Sequence, residues 1–164
     1  MAAEGCPYNG VLYAGLMLTE DGPKVIEFNC RFGDPEAQVV LPRLKSDFLS
    51  AALTVVEGGL ENFDLRWTDQ TAVTVVMAAD GYPGSYQKGQ PIHGADQLKT
   101  ADGSLIFHAG TESADDGQLI SAGGRVLAVT ALGNDRQLAR SEAYAAVKTI
   151  FWPDAMFRTD IAAD

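Results

Sequence analysis

The stretch Val25-Ile26-Glu27-Phe28-Asn29-Cys30-Arg31-Phe32-Gly33-Asp34-Pro35-Glu36 decides how the first third of the chain folds. From Val25 to Arg31 it reads as a strand, in which residues two apart share a face. Ile26, Phe28 and Cys30 are expected to point into a core. Glu27, Asn29 and Arg31 then line the opposite face, spaced by roughly 6.5–7 Å. Upstream, Leu12 to Leu18 reads as a buried strand, and Asp21-Gly22 within Thr19–Pro23 signals a turn, so the two strands form an antiparallel hairpin. Residues before Val11 read as loop. Downstream, Asp34-Pro35-Glu36 has the chemistry of a helix start: a capping Asp, a Pro at the first helical position, an acid at the positive end. Helical spacing continues to about Glu57, with Leu41, Leu44, Phe48, Ala52 and Val55 on one face, and Pro42 is expected to split it.

Composition shifts between Gly58-Gly59 and Asp69, which places a linker at 61–69 between a first domain, 1–60, and a second, 70–164. The second carries short strands at Ala72–Ala79, Ser104–Ala109 and Gly124–Leu132, with turn chemistry at Gly81-Tyr82-Pro83-Gly84 and Lys88-Gly89. Asn134 can cap a last helix reaching about Phe151, with Leu138, Ala145 and Val147 facing inward. The fold class is α+β: an antiparallel hairpin plus helices, then a small α+β domain.

Composition bounds the function. The 164 residues hold 22 acidic and 12 basic side chains, a net charge of −10, which argues against a nucleic-acid or anionic-membrane surface. No apolar run approaches the roughly 20 residues of a membrane span, and the first residues lack the pattern of a signal peptide. Two cysteines make neither a disulfide framework nor a metal cluster. The expected setting is the cytoplasm.

A carboxylate, an amide oxygen and a guanidinium in one row suit Mg²⁺ and phosphate. Hard Mg²⁺ takes oxygen ligands and completes its shell with waters and phosphate oxygens, while Arg offers a fixed fork of donors. The helix start at Asp34-Pro35 adds free N–H groups for an anion. An ordinary solvent-facing strand carries the same residues, and spacing alone leaves both readings open.

The residues themselves go further. Leu12 to Met17, Pro23 to Glu36 and Leu41 to Asp47 closely resemble the phosphoribosylamine–glycine ligase family of the ATP-grasp superfamily. The likeness returns at Val76 to Gly84, Phe107 to Thr111 and Gly123 to Leu127. It covers essentially the whole chain but matches the C-terminal part of such enzymes: the end of the ATP-grasp domain (1–60), then the small C-terminal domain (70–164). The N-terminal domain and the lysine-bearing, adenine-holding part of the grasp fall outside the match, and no Gly-rich phosphate loop replaces them.

The resemblance implies a ligase of purine biosynthesis that joins glycine to 5-phosphoribosylamine with ATP, through a glycyl phosphate, giving glycinamide ribonucleotide, ADP and phosphate. By motif position, Glu27 and Asn29 match the ligands of Mg²⁺ or Mn²⁺. Arg31 matches the catalytic arginine that holds phosphate or the acyl phosphate. Gly33, Asp34, Pro35 and Glu36 match the loop beside the substrates. Two other readings stay in view: a non-catalytic interaction or structural module derived from such an enzyme, and another ATP-grasp ligase or carboxylase. A chain cut within a domain also exposes an apolar face, so self-association is expected.

Other residues read more plainly. His93 is a loop residue, and His108 makes a structural hydrogen bond at a strand end. Gly123-Gly124-Arg125 is a tight turn, with sugar-phosphate contact as the alternative. Cys30 is an apolar filler, Asp115, Asp116 and Asp160 are solvated, and Trp67 and Trp152 are packing residues.

Overall fold

The Val-rich run Thr71–Ala79 pairs along its length with Arg125–Gly133, and this pairing founds the larger half of the protein. The computed structural model describes residues 1–97 and 103–163. In chain order the elements are β1 (Tyr13–Thr19), β2 (Gly22–Asn29), α1 (Ala37–Val40), α2 (Phe48–Glu57), β3 (Thr71–Ala79), β4 (Ser104–His108), β5 (Thr111–Ser113), β6 (Leu119–Ser121), β7 (Arg125–Gly133), α3 (Arg136–Val147) and β8 (Ala155–Phe157). A 3₁₀ turn, Leu41–Arg43, follows α1 directly. The chain divides into two compact units, residues 1–37 with 44–68, and residues 38–43 with 69–164.

The second unit is built on an antiparallel sheet in the order β4-β7-β3-β8. Alternation sends Val73, Val75, Met77 and Ala79 of β3 into the core. β7 is central and has no wet face, with Val126 to Ala131 all buried. α3 packs on this sheet through Ala139, Ala143, Ala146 and Val147. These small side chains let the helix come close, and Gly133 makes the closest approach, since a Cβ there would lie 2.4 Å from the Ala139 nitrogen. Trp152, 1% exposed, closes the core.

Several expectations change here. The cap of α3 is Asp135, whose carboxylate accepts from the Leu138 N–H at 2.7 Å, and the helix ends at Val147, short of Phe151. Val147 faces inward as expected, but Leu138 is 43% exposed and Ala145 is exposed. The alanines, Val147 and Tyr144 meet the core, and Leu138 does not. β5, β6 and β8 have three residues each, too few to show an alternation in sequence.

The first unit contains the expected antiparallel hairpin, β1 with β2, shifted toward the turn so that β2 begins at Gly22 and ends at Asn29. Apart from Gly15, its strand residues are exposed or half-buried. Leu16, Met17, Leu18 and Val25 are exposed, Ile26 is 63% and Phe28 61% exposed, and Cys30 is exposed. No layer of this unit covers them, which corrects the expected core-facing row. A β-bulge between Gly15 and Leu16 also interrupts the alternation, pairing Gly15 with Glu27 and Leu16 with Val25.

The long helix is broken as Pro42 requires, but it also starts late. Asp34, Pro35 and Glu36 form a turn, the Asp34–Pro35 bond is cis, and α1 opens only at Ala37 with four residues. The expected anion-receiving helix start at Asp34-Pro35 is therefore not built. α2 is capped by Asp47, whose carboxylate accepts from the N–H and hydroxyl of Ser50, both at 2.7 Å; these bonds hold its carboxyl below the usual range. Of the expected inward face, Phe48 is exposed, Leu41, Leu44, Ala52 and Val55 are half-buried, and the buried residue of α2 is Ala51. Trp67 is half exposed and bridges to Leu44 through the backbone.

Replacing Leu127, fully buried, with Ala is expected to cost about 2–5 kcal/mol. Leu138→Ala on the outer face of α3 should cost less than about 1 kcal/mol. Urea unfolding of the two variants checks both, and equal losses would contradict this packing.

Candidate functional site

The two-residue period of β2 places Glu27 and Asn29 side by side on one face of the hairpin. Asn29 Nδ2 donates to Glu27 Oε1 at 2.9 Å. Across the ladder Glu27 faces Gly15 and Asn29 faces Tyr13. A Cβ on Gly15 would stand 3.1 Å from Glu27 Cγ, so the glycine gives the carboxylate side chain its room. Arg31 is not the third member of this row. The strand ends at Asn29, and Arg31 sits in the following bend with its Nη1 donating to the Phe32 carbonyl at 2.9 Å.

The loop Gly33–Glu36 is closed on itself and tied to the hairpin. The Ala37 N–H donates to the Gly33 carbonyl at 2.9 Å, and the Tyr13 hydroxyl donates to Glu36 Oε1 at 3.0 Å. Gly33 is buried against the Glu36 side chain, where a Cβ would lie 2.2 Å from Oε2. The rings of Phe32 and Phe48, 5.9 Å apart, pack the start of this loop against α2. The bond to Glu36 pushes the Tyr13 phenol above its usual range; desolvation and the negative charges of Glu36 and Glu27 act the same way, against Arg31. Tyr13 is the participant that motif reading did not single out. Its signal is positional: it stands opposite Asn29 only once the hairpin register is known.

Glu27 and Asn29 form a hard-oxygen donor pair, and rotating the Asn29 amide exchanges Nδ2 for Oδ1. Two protein ligands on an open face fit a cation such as Mg²⁺ or Mn²⁺, which keeps waters and phosphate oxygens in its shell. Among the described residues no group of three or more His, Cys, Asp and Glu gathers into an all-protein metal cluster.

The two histidines and the glycine turn of the second unit make local contacts. The His108 Nδ1 lies 2.9 Å from the Thr111 hydroxyl, and His93 exchanges backbone bonds with Phe151. Gly110 and Gly123 meet backbone to backbone, and the rings of Tyr82 and Tyr86 lie against Gly124, so this turn is packed. Cys30 is exposed, which corrects its reading as a filler. Asp115 and Asp116 are exposed, and Asp160 pairs with Arg158. A cleft of about 360 Å³ in the second unit, lined by Asp80, Tyr86, Gln90, Trp152 and Asp154 among others, contains none of Glu27, Asn29, Arg31, Gly33, Asp34, Pro35 and Glu36.

Two family models match separate parts of the chain. Residues 72–164, more than half of it, match the model for the phosphoribosylglycinamide synthetase C domain, and residues 1–37 match that for the synthetase's ATP-grasp (A) domain. The chain belongs to the phosphoribosylglycinamide synthetase family. It is 52% identical over 162 residues to a phosphoribosylamine–glycine ligase of Escherichia coli O6:H1, covering 98% of this chain and 38% of that protein. With the Brucella melitensis ligase it shares 48% over 161 residues, at the same coverage. The crystal structure of the Thermotoga maritima phosphoribosylamine–glycine ligase superposes with a TM-score of 0.83 at 36% identity, over 98% of this chain and 39% of that one. The biotin carboxylase domain of Hydrogenobacter thermophilus 2-oxoglutarate carboxylase, at 14% identity and a TM-score of 0.62, shares the fold. The chain thus spans less than two fifths of the synthetase-family ligases it matches. No helix among the described residues is long and apolar enough to cross a membrane.

Removing the partner of the Tyr13 phenol is expected to bring its pKa back down toward the ordinary tyrosine value. Both Glu36→Ala and Gly33→Ala, which displaces the Glu36 carboxylate, should do so in an NMR titration of the Tyr13 ring carbon. An unmoved titration in either variant would contradict the Tyr13–Glu36 contact.

Proposed function

We propose that this chain is the metal- and phosphate-holding part of a ligase that joins glycine to 5-phosphoribosylamine with ATP. The observation that carries the reading is the Glu27–Asn29 pair beside Arg31 and the Gly33–Glu36 loop, in a chain about half identical to phosphoribosylamine–glycine ligases along nearly its whole length.

The chemistry has two steps. The glycine carboxylate takes the γ-phosphoryl group of ATP, giving glycyl phosphate and ADP. The amine of phosphoribosylamine then attacks the acyl carbon, phosphate leaves with the C–O bonding electrons, and the nitrogen loses a proton, giving glycinamide ribonucleotide. Glu27 and Asn29 would hold a divalent cation, which would supply charge neutralisation on the phosphoryl oxygens. Arg31, released from the Phe32 carbonyl, turns its fork of N–H groups to phosphate or the acyl phosphate. The Gly33, Asp34, Pro35 and Glu36 loop, steadied by Tyr13, positions a substrate; here holding reactants in line contributes more than covalent help from the protein.

The acidic composition fits small-molecule substrates in the cytoplasm and no nucleic-acid partner. The exposed Leu18, Ile26 and Phe28 give the chain on its own an apolar surface for self-association.

The test is ADP release that depends on both glycine and phosphoribosylamine. The chain is expected to be inactive alone and active when mixed with the preceding part of a family ligase. Glu27→Gln should lower that activity by at least about a hundredfold. Activity unchanged in the variant would contradict the assignment. ADP release with a different carboxylate or amine would point to another ATP-grasp ligase.

A further inference from the structure

The carbonyl of Gln38 has lost its helical donor. In an α-helix the N–H of residue i+4 serves the carbonyl of residue i, and four residues after Gln38 stands Pro42, which has no N–H and whose ring crowds that carbonyl. The helix changes accordingly, from α over Ala37–Val40 to 3₁₀ over Leu41–Arg43. A donor arrives from 92 residues away: Thr130 Oγ1 donates to the Gln38 carbonyl at 3.0 Å. Thr130 is fully buried in β7 and directly opposite Thr74 of β3, their hydroxyl oxygens 2.8 Å apart. A hydroxyl has one proton. The Thr130 hydroxyl has two acceptors within reach, the Gln38 carbonyl and Thr74 Oγ1, while the Thr74 hydroxyl itself donates to the Val129 carbonyl at 3.3 Å.

A valine would fill this place in β7 without the cost of burying a hydroxyl, and the neighbours Val126, Ala128 and Val129 are apolar. The hydroxyl therefore has a task. At the other end of the segment, Arg43 Nε donates to the Gln70 carbonyl at 2.8 Å, so residues 38–43 are fixed at both ends. Ala37, covalently next to Gln38, closes the Gly33–Glu36 loop through its N–H bond to the Gly33 carbonyl.

We propose that Thr130 is a positioning residue for that loop: its hydroxyl replaces the missing Pro42 N–H on the Gln38 carbonyl and so fixes where the loop ends. The loop's role toward substrate rests on the ligase reading above; the anchor itself does not.

The test compares Thr130→Val with Thr130→Ser in the 164-residue chain, by NMR hydrogen exchange. Thr130→Val is expected to speed exchange of the Ala37 amide about tenfold, the effect of one lost hydrogen bond. Thr130→Ser should stay near wild type, and the core amides of Val75 and Val129 should be unchanged in both. The anchor is overturned if Ala37 exchange does not change in Thr130→Val, if it rises in step with the core amides, or if the serine variant behaves like the valine one. In the reconstituted ligase, Thr130→Val should raise the KM for glycine or phosphoribosylamine several-fold, restored by Thr130→Ser. An unmoved KM beside a changed Ala37 exchange overturns the loop's substrate role and upholds the anchor. A mixture inactive with the wild-type chain overturns the ligase reading, and the exchange result then decides the anchor alone.

Discussion

Strand β7 has no wet face, and a strand in that position must find a partner for every polar atom it carries. Its backbone pairs with β3 on one side and β4 on the other, and the Val126 carbonyl accepts from the Ala109 and Gly110 N–H groups. Its core side chains are covered by α3, which reaches them because Ala139, Ala143 and Ala146 are small and Gly133 has no side chain. Its one buried hydroxyl, Thr130, is spent on the Gln38 carbonyl. The strand that organises the second unit is thereby joined to the segment that follows the Gly33–Glu36 loop.

The candidate site follows a different logic. Glu27 is exposed and Asn29 half-buried, and neither is locked in a core. What fixes them is register: a two-residue period, a glycine opposite the carboxylate and a tyrosine opposite the amide. Arg31 lies just past the regular strand, where its guanidinium is held by a neighbouring carbonyl and not by a carboxylate.

Much of this was legible in the sequence where a period repeats long enough to be counted. The hairpin, the runs that became β3, β4 and β7, the last helix and the break at Pro42 all follow from alternation, helical spacing or the absence of an N–H. The same-face placement of Glu27 and Asn29 does too. What escaped depends on distance along the chain. Tyr13 meets Glu36, and Thr130 meets Gln38, through contacts that no local window contains. Ile26 and Phe28 alternate as core residues do, yet burial needs a second layer, and their unit supplies none. Leu138 reads as an inward residue, whereas helix α3 meets the core through Ala139, Ala143, Ala146, Val147 and Tyr144. Asp34-Pro35 carried the composition of a helix start but folded as a turn that closes on Gly33.

The most direct measurement is a titration of the isotopically labelled chain with Mn²⁺, followed by paramagnetic broadening of its NMR signals. Broadening concentrated at Glu27, Asn29 and Arg31, and abolished by Glu27→Gln, is the predicted result. Broadening that spreads evenly over the acidic surface, or centres on Asp115 and Asp116 instead, would contradict a metal site on this hairpin.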